Sequence, residues 1–270
     1  MPEKEPTYDL IAIDLDGTLL DSKKFFSKDA LTTINKVRDK GIRIIIVTGR
    51  NKQTLKRIFQ KLDYRDFFIG SGGAYIANPD SGEVLEMQTL RTEDTLRIIR
   101  LCRKFHLLLF LDHPDWMRAE KTNKRFRLYK QTHGYQWEIV NDLTATLKDP
   151  PTKAVLIGPQ AHLNTIKEIL DGENRLLNIS PASDYSLDIT YTGATKGNAL
   201  KKLLSYLEIA VERTAAIGDH LNDLDMFQVV KTAVAMGNSP KEVQQAADII
   251  APCNDKGGVA WALNKLVLNN

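Results

Sequence analysis

Apolar runs alternate with amphipathic segments at both ends of the chain. The runs YDLIAIDLDG, GIRIIIVTGR and DFFIGSGGAYIA are apolar almost throughout, whereas KDALTTINKVRDK and NKQTLKRIFQKL repeat apolar residues at helical spacing. Strands that are apolar on both faces are typical of a parallel sheet with helices on both sides. The pattern therefore predicts an α/β fold built on a doubly wound, Rossmann-like parallel sheet.

The middle of the chain, from 85 to 186, follows a different pattern. The amphipathic helix pattern of TEDTLRIIRLCRKFH is followed by strand patterns and polar connectors. The first pattern returns with TKGNALKKLLSYL. We therefore predict that residues 1–84 and 187–270 together form one core domain, and that residues 85–186 form an inserted α+β domain.

Polar residues stand where the predicted strands of the core domain end or where its helices begin. They form four groups: Asp14 with Asp16, Thr48-Gly49-Arg50, Lys196, and Gly218-Asp219 with Asn222-Asp223. Ligands bind outside the carboxyl ends of the strands in an open parallel sheet. We therefore expect the four groups to meet in one crevice.

The chemistry of such a crevice favours phosphoryl transfer. The four aspartates would repel one another unless a cation lay among them, and a set of oxygen ligands suits Mg²⁺. A metal held there can neutralise a phosphoryl group, while the Thr48 hydroxyl and the Lys196 ammonium bind its other oxygens. One aspartate can attack phosphorus to form an aspartyl-phosphate, and another can act as general acid and base.

Each group also has an ordinary structural explanation when it is taken alone. The sequence D-x-D-G can be a simple turn after a strand, Thr48 can cap a helix, and Lys196 can be solvated. A calcium loop of the EF-hand type is excluded, because its glycine comes sixth whereas Gly17 is fourth counting from Asp14. The combination, in this order at the strand ends, is what favours a catalytic site.

Composition and charge exclude some classes of protein. The 270 residues carry 37 basic and 34 acidic side chains and a net charge of +3, so neither nucleic acid nor a membrane surface is indicated as partner. No apolar run is long enough to cross a bilayer, and we expect no secretory signal. Cys102 and Cys253 form no metal-binding pattern, so we expect reduced thiols in a cytoplasmic protein, either a monomer or a small homo-oligomer.

Four motifs of the chain, in this order, resemble those of the haloacid dehalogenase (HAD) superfamily. They are DLDGTLLDS, VTGR, TKGNAL and IGDHLNDLDMF. The likeness extends to AMGNSPKEVQQAAD, and the whole chain resembles the Cof-type phosphatases, in which the insertion takes the position of a C2B cap. The resemblance implies an Mg²⁺-dependent phosphatase that hydrolyses small phosphorylated metabolites, sugar phosphates or related compounds, through an aspartyl-phosphate intermediate.

The resemblance also implies a role for each aspartate. Asp14 would be the nucleophile and a ligand of Mg²⁺. Asp16 would be the general acid and base, with its backbone carbonyl on the metal. Asp219 would complete the metal ligands, and Asp223 would support the ligand shell.

The remaining motif residues would bind the phosphoryl group. The resemblance implies that Thr48, Gly49 and Asn222 contact its oxygens, and that Lys196 orients the nucleophile and offsets charge in the transition state. The chain departs from the family at Ser71-Gly72-Gly73, where Asn-Gly is frequent. This departure bears on the choice of leaving group rather than on the phosphoryl chemistry.

Several interpretations stay open. A phosphomutase would share the aspartyl-phosphate step, and a non-catalytic phospholigand-binding protein would share the pocket; a dehalogenase would have no use for Asp16. The basic run at 118–130 can contact a second anionic group of the substrate or form a solvated face. Asp112, His113 and Trp116, which we expect in a loop, can contact a sugar or pack in the core.

Overall fold

The structure is a computed structural model that describes residues 8–122, 137–173 and 176–268. The described chain divides into two compact units. The first unit comprises the described residues of Met1–Gly49, Leu62–Val84 and Thr195–Asn270, and the second comprises those of Arg50–Lys61 and Leu85–Ala194.

The two units differ from the predicted domains at two places. Residues 187–194 belong to the second unit, because the strand Ser186–Tyr191 pairs within the sheet of that unit. Residues 50–61 also group with the second unit, where the Asn51 amide donates a hydrogen bond of 2.7 Å to Asp112. The predicted boundary at 186/187 therefore falls inside a strand.

The strands and helices have the following bounds in chain order. The strands are β1 (Leu10–Asp14), β2 (Arg43–Val47), β3 (Phe68–Gly70), β4 (Tyr75–Ala77), β5 (Val84–Met87), β6 (Leu108–His113), β7 (Trp116–Ala119), β8 (Glu138–Ile139), β9 (Lys153–Ile157), β10 (Leu177–Ser183), β11 (Ser186–Tyr191), β12 (Thr214–Gly218), β13 (Thr232–Ala235) and β14 (Ile249–Ile250). The α-helices are α1 (Lys28–Arg38), α2 (Lys52–Leu62), α3 (Thr92–Lys104), α4 (Gln160–Gly172), α5 (Lys196–Tyr206), α6 (Leu224–Phe227), α7 (Lys241–Gln245) and α8 (Gly258–Leu263).

The first sheet is the predicted parallel sheet. Within the described residues its order is β14-β13-β12-β1-β2-β3-β4-β5, parallel from β14 to β3, with β4 antiparallel to β3. Residues Leu10 to Ile13 of the central strand are fully buried. Because successive side chains of a strand point to opposite faces, both faces of the sheet are covered at β1. The prediction of an α/β core is confirmed.

The second unit has a sheet of its own. The order in the described part of the chain is β10-β11-β9-β6-β7-β8, and the pairs among β10, β11, β9, β6 and β7 are antiparallel. Ile98 of α3 and Ile166 of α4 belong to one apolar cluster with Leu109 and Leu156 of the sheet. The prediction of an α+β fold for the inserted part of the chain is confirmed. No helix among the described residues is long and apolar enough to cross a membrane.

Candidate active site

Parallel pairing of β1 with β12 brings three of the predicted aspartates together. Ile13 pairs with Ile217, so Asp14 ends its strand beside Gly218, and Asp219 follows directly. Single carboxylate oxygens of Asp14, Asp219 and Asp223 lie within 4.8 Å of one another. Residues as far apart in sequence as 14 and 223 therefore share one site, as the strand-end pattern predicted.

Two glycines permit this close approach. Gly17 has a φ of +89°, and a Cβ atom there would lie 2.3 Å from Asp219 Oδ2. A Cβ atom on Gly218 would lie 2.7 Å from Asp223 Oδ2. No side chain fits at either position without displacing a carboxylate, and only glycine adopts the conformation of Gly17 without strain.

Lys196 is the cation at the centre of the carboxylates. It is the first residue of α5, which Thr195 caps by accepting a hydrogen bond from the Asn198 N–H. Its Nζ lies 2.6 Å from Asp14 Oδ1 and 2.5 Å from Asp223 Oδ1, and the side chain is 2% exposed. Burial lowers the pKa of Lys196, but the two carboxylates outweigh burial, so the net shift is upward and the ammonium stays charged.

The Lys196 ammonium alone does not balance the three carboxylates. Burial raises the pKa of Asp14 to about 8; Lys196 opposes this rise, whereas Asp223 and Asp219 add to it. Burial also raises the pKa of Asp219, against the hydrogen bond from Thr18. If all three carboxylates were ionised, the charge of one ammonium would leave two negative charges, which a divalent cation would neutralise. The charge and the oxygen-only donor set both fit Mg²⁺.

Asp223 holds the turn after β12. Its Oδ2 accepts hydrogen bonds from the backbone N–H groups of Asp219 and His220, both at 2.9 Å, and its Oδ1 contacts Lys196. Both oxygens of this fully buried carboxylate therefore have donors within the protein. This arrangement suits the supporting role implied for Asp223 better than direct ligation of a metal.

Asp16 lies apart from the buried cluster. Its side chain is 33% exposed, and Oδ1 accepts a hydrogen bond of 2.8 Å from Lys24 Nζ. Its carboxylate is not part of the group that Asp14, Asp219 and Asp223 form among the described residues. Ligation of a metal through the Asp16 backbone carbonyl stays a prediction, as does the general acid and base role of its partly exposed carboxylate.

Thr48 and Gly49, predicted to bind phosphate, follow the second strand, and the Ser71–Gly73 turn follows the neighbouring third strand. The register pairs Asp14 with Val47, so Thr48 and Gly49 follow at the carboxyl end of β2. The Thr48 N–H donates to Ile69 O, and its own carbonyl accepts from Gly72 N–H, so the Ser71–Gly73 turn packs beside it. Ser71 has a φ of +51°, and its buried hydroxyl has no hydrogen-bond partner among the described residues.

Asn222 occupies the turn between β12 and α6. It belongs to a short 3₁₀ helix, Leu221–Asp223, and is exposed. Its neighbour Asp223 is anchored, so the turn presents Asn222 to solvent next to the carboxylates.

The expectation of a loop at Asp112, His113 and Trp116 was wrong. Asp112 and His113 end β6, Trp116 begins β7, and the His113 and Trp116 rings stack 5.1 Å apart. Asp112 is fully buried, and burial raises its pKa to about 6 despite Lys153 and the hydrogen bond from Asn51. Within the second unit, these three residues agree with the alternative that they pack in the core.

The basic run at 118–130 is described only in part. Arg118 donates to Glu138 Oε2 at 3.1 Å and lies over the Trp116 ring, 4.3 Å from its centroid. Residues 123–130 lie outside the described part of the chain.

Three polar side chains that contact the predicted aspartates were not predicted from the sequence. Thr18 donates to Asp219 Oδ1 at 2.9 Å, Asn238 donates to Asp219 Oδ2 at 3.2 Å, and Lys24 pairs with Asp16. Thr18 and Asn238 both stand in strand-end turns, DGT and MGN, so the rule that located the aspartates would also have found these two.

Comparison with known proteins gives consistent matches over almost the whole chain. A sequence model for haloacid dehalogenase-like hydrolases matches residues 11–263. Phosphatase YwpJ of Bacillus subtilis (strain 168) is 26% identical over 96% of this chain and 99% of its own length. The 5-amino-6-(5-phospho-D-ribitylamino)uracil phosphatase YcsE of the same organism is 28% identical over 96% of both chains.

The fold has solved relatives as well. A crystal structure of a haloacid dehalogenase-like hydrolase from Bacteroides thetaiotaomicron superposes with a TM-score of 0.89 at 27% identity. The superposition covers 96% of this chain and 99% of the other.

Proposed function

The chain belongs to the haloacid dehalogenase-like hydrolases and is a phosphatase, and on this premise we propose that it is an Mg²⁺-dependent phosphatase of small phosphorylated metabolites. Sugar phosphates and related compounds are the proposed substrates, and an aspartyl-phosphate is the proposed intermediate. The observation that carries the proposal is the buried cluster of Asp14, Asp219 and Asp223 around Lys196.

Asp14, Asp219 and the backbone carbonyl of Asp16 would hold the Mg²⁺ ion. When bound, the ion would neutralise phosphoryl oxygens and favour the ionised form of the buried Asp14 carboxylate. Thr48, Gly49 and Asn222 would bind the remaining phosphoryl oxygens, and Lys196 would offset the charge that builds up in the transition state.

Asp14 would act as the nucleophile of the first step. Lys196 engages its Oδ1, which leaves Oδ2 to form a bond to phosphorus. As the ester bond between phosphorus and the leaving oxygen breaks, Asp16 would give its proton to that oxygen.

Asp16 would act as the base of the second step. It would take a proton from a water molecule as the water oxygen bonds to phosphorus. The bond between phosphorus and Asp14 then breaks, which releases inorganic phosphate and restores the free carboxylate.

The name of the relative YcsE supports a phosphate carried on a polyol chain as one substrate type. A panel of phosphorylated metabolites, assayed for release of inorganic phosphate, would identify the substrate class. Formation of a 1-phosphate isomer from a hexose 6-phosphate, without release of phosphate, would instead identify a phosphomutase.

Hydrolysis of p-nitrophenyl phosphate, with and without Mg²⁺, tests the chemistry. We expect activity that requires Mg²⁺ and that Asp14→Asn abolishes, because an amide does not replace the attacking carboxylate. Asp29→Asn, an exposed aspartate in the first turn of α1, is the matched control and should keep wild-type activity. Full activity in Asp14→Asn would contradict the nucleophile assignment.

A further inference from the structure

The side-chain amide of Asn238 joins the two loops that carry the aspartates of the site. Its nitrogen donates to the Gly17 carbonyl oxygen at 2.9 Å and to Asp219 Oδ2 at 3.2 Å. Gly17 follows β1, Asp219 follows β12, and Asn238 comes from the turn after β13. One NH₂ group therefore lies between two oxygen acceptors from different strand ends.

A third hydrogen bond fixes the orientation of this amide. The backbone N–H of Asn254 donates to Asn238 Oδ1 at 3.0 Å, so the nitrogen is the atom that points to the two acceptors. A flipped amide would lose all three hydrogen bonds and set its oxygen against a carbonyl and a carboxylate.

Thr18 restrains Asp219 from the other side. Its hydroxyl donates to Oδ1 at 2.9 Å, so each carboxylate oxygen of Asp219 has one donor. A carboxylate oxygen has more than one acceptor site, so both oxygens keep capacity for a cation. Two donors on opposite oxygens restrict rotation of the carboxylate about its Cβ–Cγ bond.

We propose that Asn238 is a positioning residue for the cation site, because it orients Asp219 and holds it against the Gly17 loop. This inference rests on the proposed role of Asp219 as a metal ligand. Groups that hydrogen-bond to a metal ligand set its orientation, and their removal typically weakens metal affinity about 10-fold to 100-fold. Asn238→Ala should therefore weaken Mn²⁺ binding by about tenfold or more.

The experiment measures Mn²⁺ affinity of the full chain from the EPR signal of free Mn²⁺, with far-UV circular dichroism as the test of folding. Asn254→Ala is the matched control, because it removes a side-chain amide from the adjacent loop but keeps the backbone N–H that donates to Asn238. We expect near wild-type affinity in Asn254→Ala and a large loss in Asn238→Ala. If Asn238→Ala does not fold, Asn238→Ser replaces it, with the same expectation.

A double variant tests whether Asn238 acts through Asp219. Adding Asn238→Ala to Asp219→Asn should weaken Mn²⁺ binding little further, because the carboxylate it orients is already lost. Wild-type affinity in folded Asn238→Ala, or an equal loss in Asn254→Ala, would overturn the proposal. Wild-type affinity in Asp219→Asn would overturn the proposed cation site itself, and the two failures are therefore distinguishable.

Discussion

The Lys196 ammonium pairs with two of the buried carboxylates of the site, so its removal has a specific and measurable consequence. The side chain is 2% exposed and contacts Asp14 Oδ1 at 2.6 Å and Asp223 Oδ1 at 2.5 Å. Lys196→Met keeps an unbranched apolar side chain but removes the charge. Loss of one partner from a buried ion pair typically costs about 3–5 kcal/mol of unfolding free energy. We expect a destabilisation of this size in EDTA.

Mg²⁺ should reverse part of that loss. Without the ammonium, the three carboxylates within 4.8 Å of one another should attract a divalent cation more strongly. A ligand present at about 100 times its Kd stabilises the folded state by about 2.7 kcal/mol. Urea unfolding, followed by far-UV circular dichroism in EDTA and in saturating Mg²⁺, should show a larger gain from Mg²⁺ in Lys196→Met than in the wild type.

Lys153 provides the matched control. Its side chain is 6% exposed and pairs with Asp188 Oδ2 at 3.2 Å in the second unit. Lys153→Met should lose stability, but its gain from Mg²⁺ should equal that of the wild type. The reasoning is refuted if Lys196→Met is as stable as the wild type in EDTA, or if both lysine variants gain equally from Mg²⁺.

Three further substitutions have expected outcomes that urea unfolding can check. Gly82→Ala should lower the free energy of unfolding by roughly 1–2 kcal/mol, because alanine is strained in a left-handed backbone conformation. Gly17→Ala should lower it further, because its new Cβ atom would also meet Asp219. Equal losses in the two variants would contradict this. Asp112 holds its proton more tightly in the folded state, so the wild-type protein loses stability as pH rises from about 4 to about 6. Asp112→Asn removes this loss. It should therefore be roughly 2–3 kcal/mol more stable than the wild type at pH 7, and equally stable at pH 3. Ser71→Ala should not reduce stability and should raise it by up to about 1 kcal/mol, because the buried hydroxyl it removes has no partner among the described residues; a lower denaturation midpoint would show an unrecognised contact.

Much of the candidate site could be predicted because a parallel sheet converts strand ends into neighbours. Asp14, Asp219 and Lys196 are far apart in sequence, but each follows a central strand or begins a helix at the same edge. Hydrophobic runs locate such strands well, since residues buried on both faces leave few polar interruptions. To predict that the aspartates share one site, we then needed only to assume that these strands are adjacent, as β1 and β12 are.

Contacts that depend on loop conformation could not be predicted in the same way. The hydrogen bonds of Asn238 depend on a positive φ at Gly17 and on the turn that brings Asn254 to it. The apolar pattern of a strand also does not indicate which sheet the strand joins. Ser186–Tyr191 pairs within the second sheet, although the sequence pattern placed most of it in the core domain.

The most direct test of the proposed cation site is a crystal structure with saturating Mn²⁺ and anomalous scattering. One peak is expected among the carboxylates, about 2.0–2.3 Å from an oxygen of Asp14 and from an oxygen of Asp219. Absence of a peak there, or a peak bound only by other residues, would contradict the proposed site.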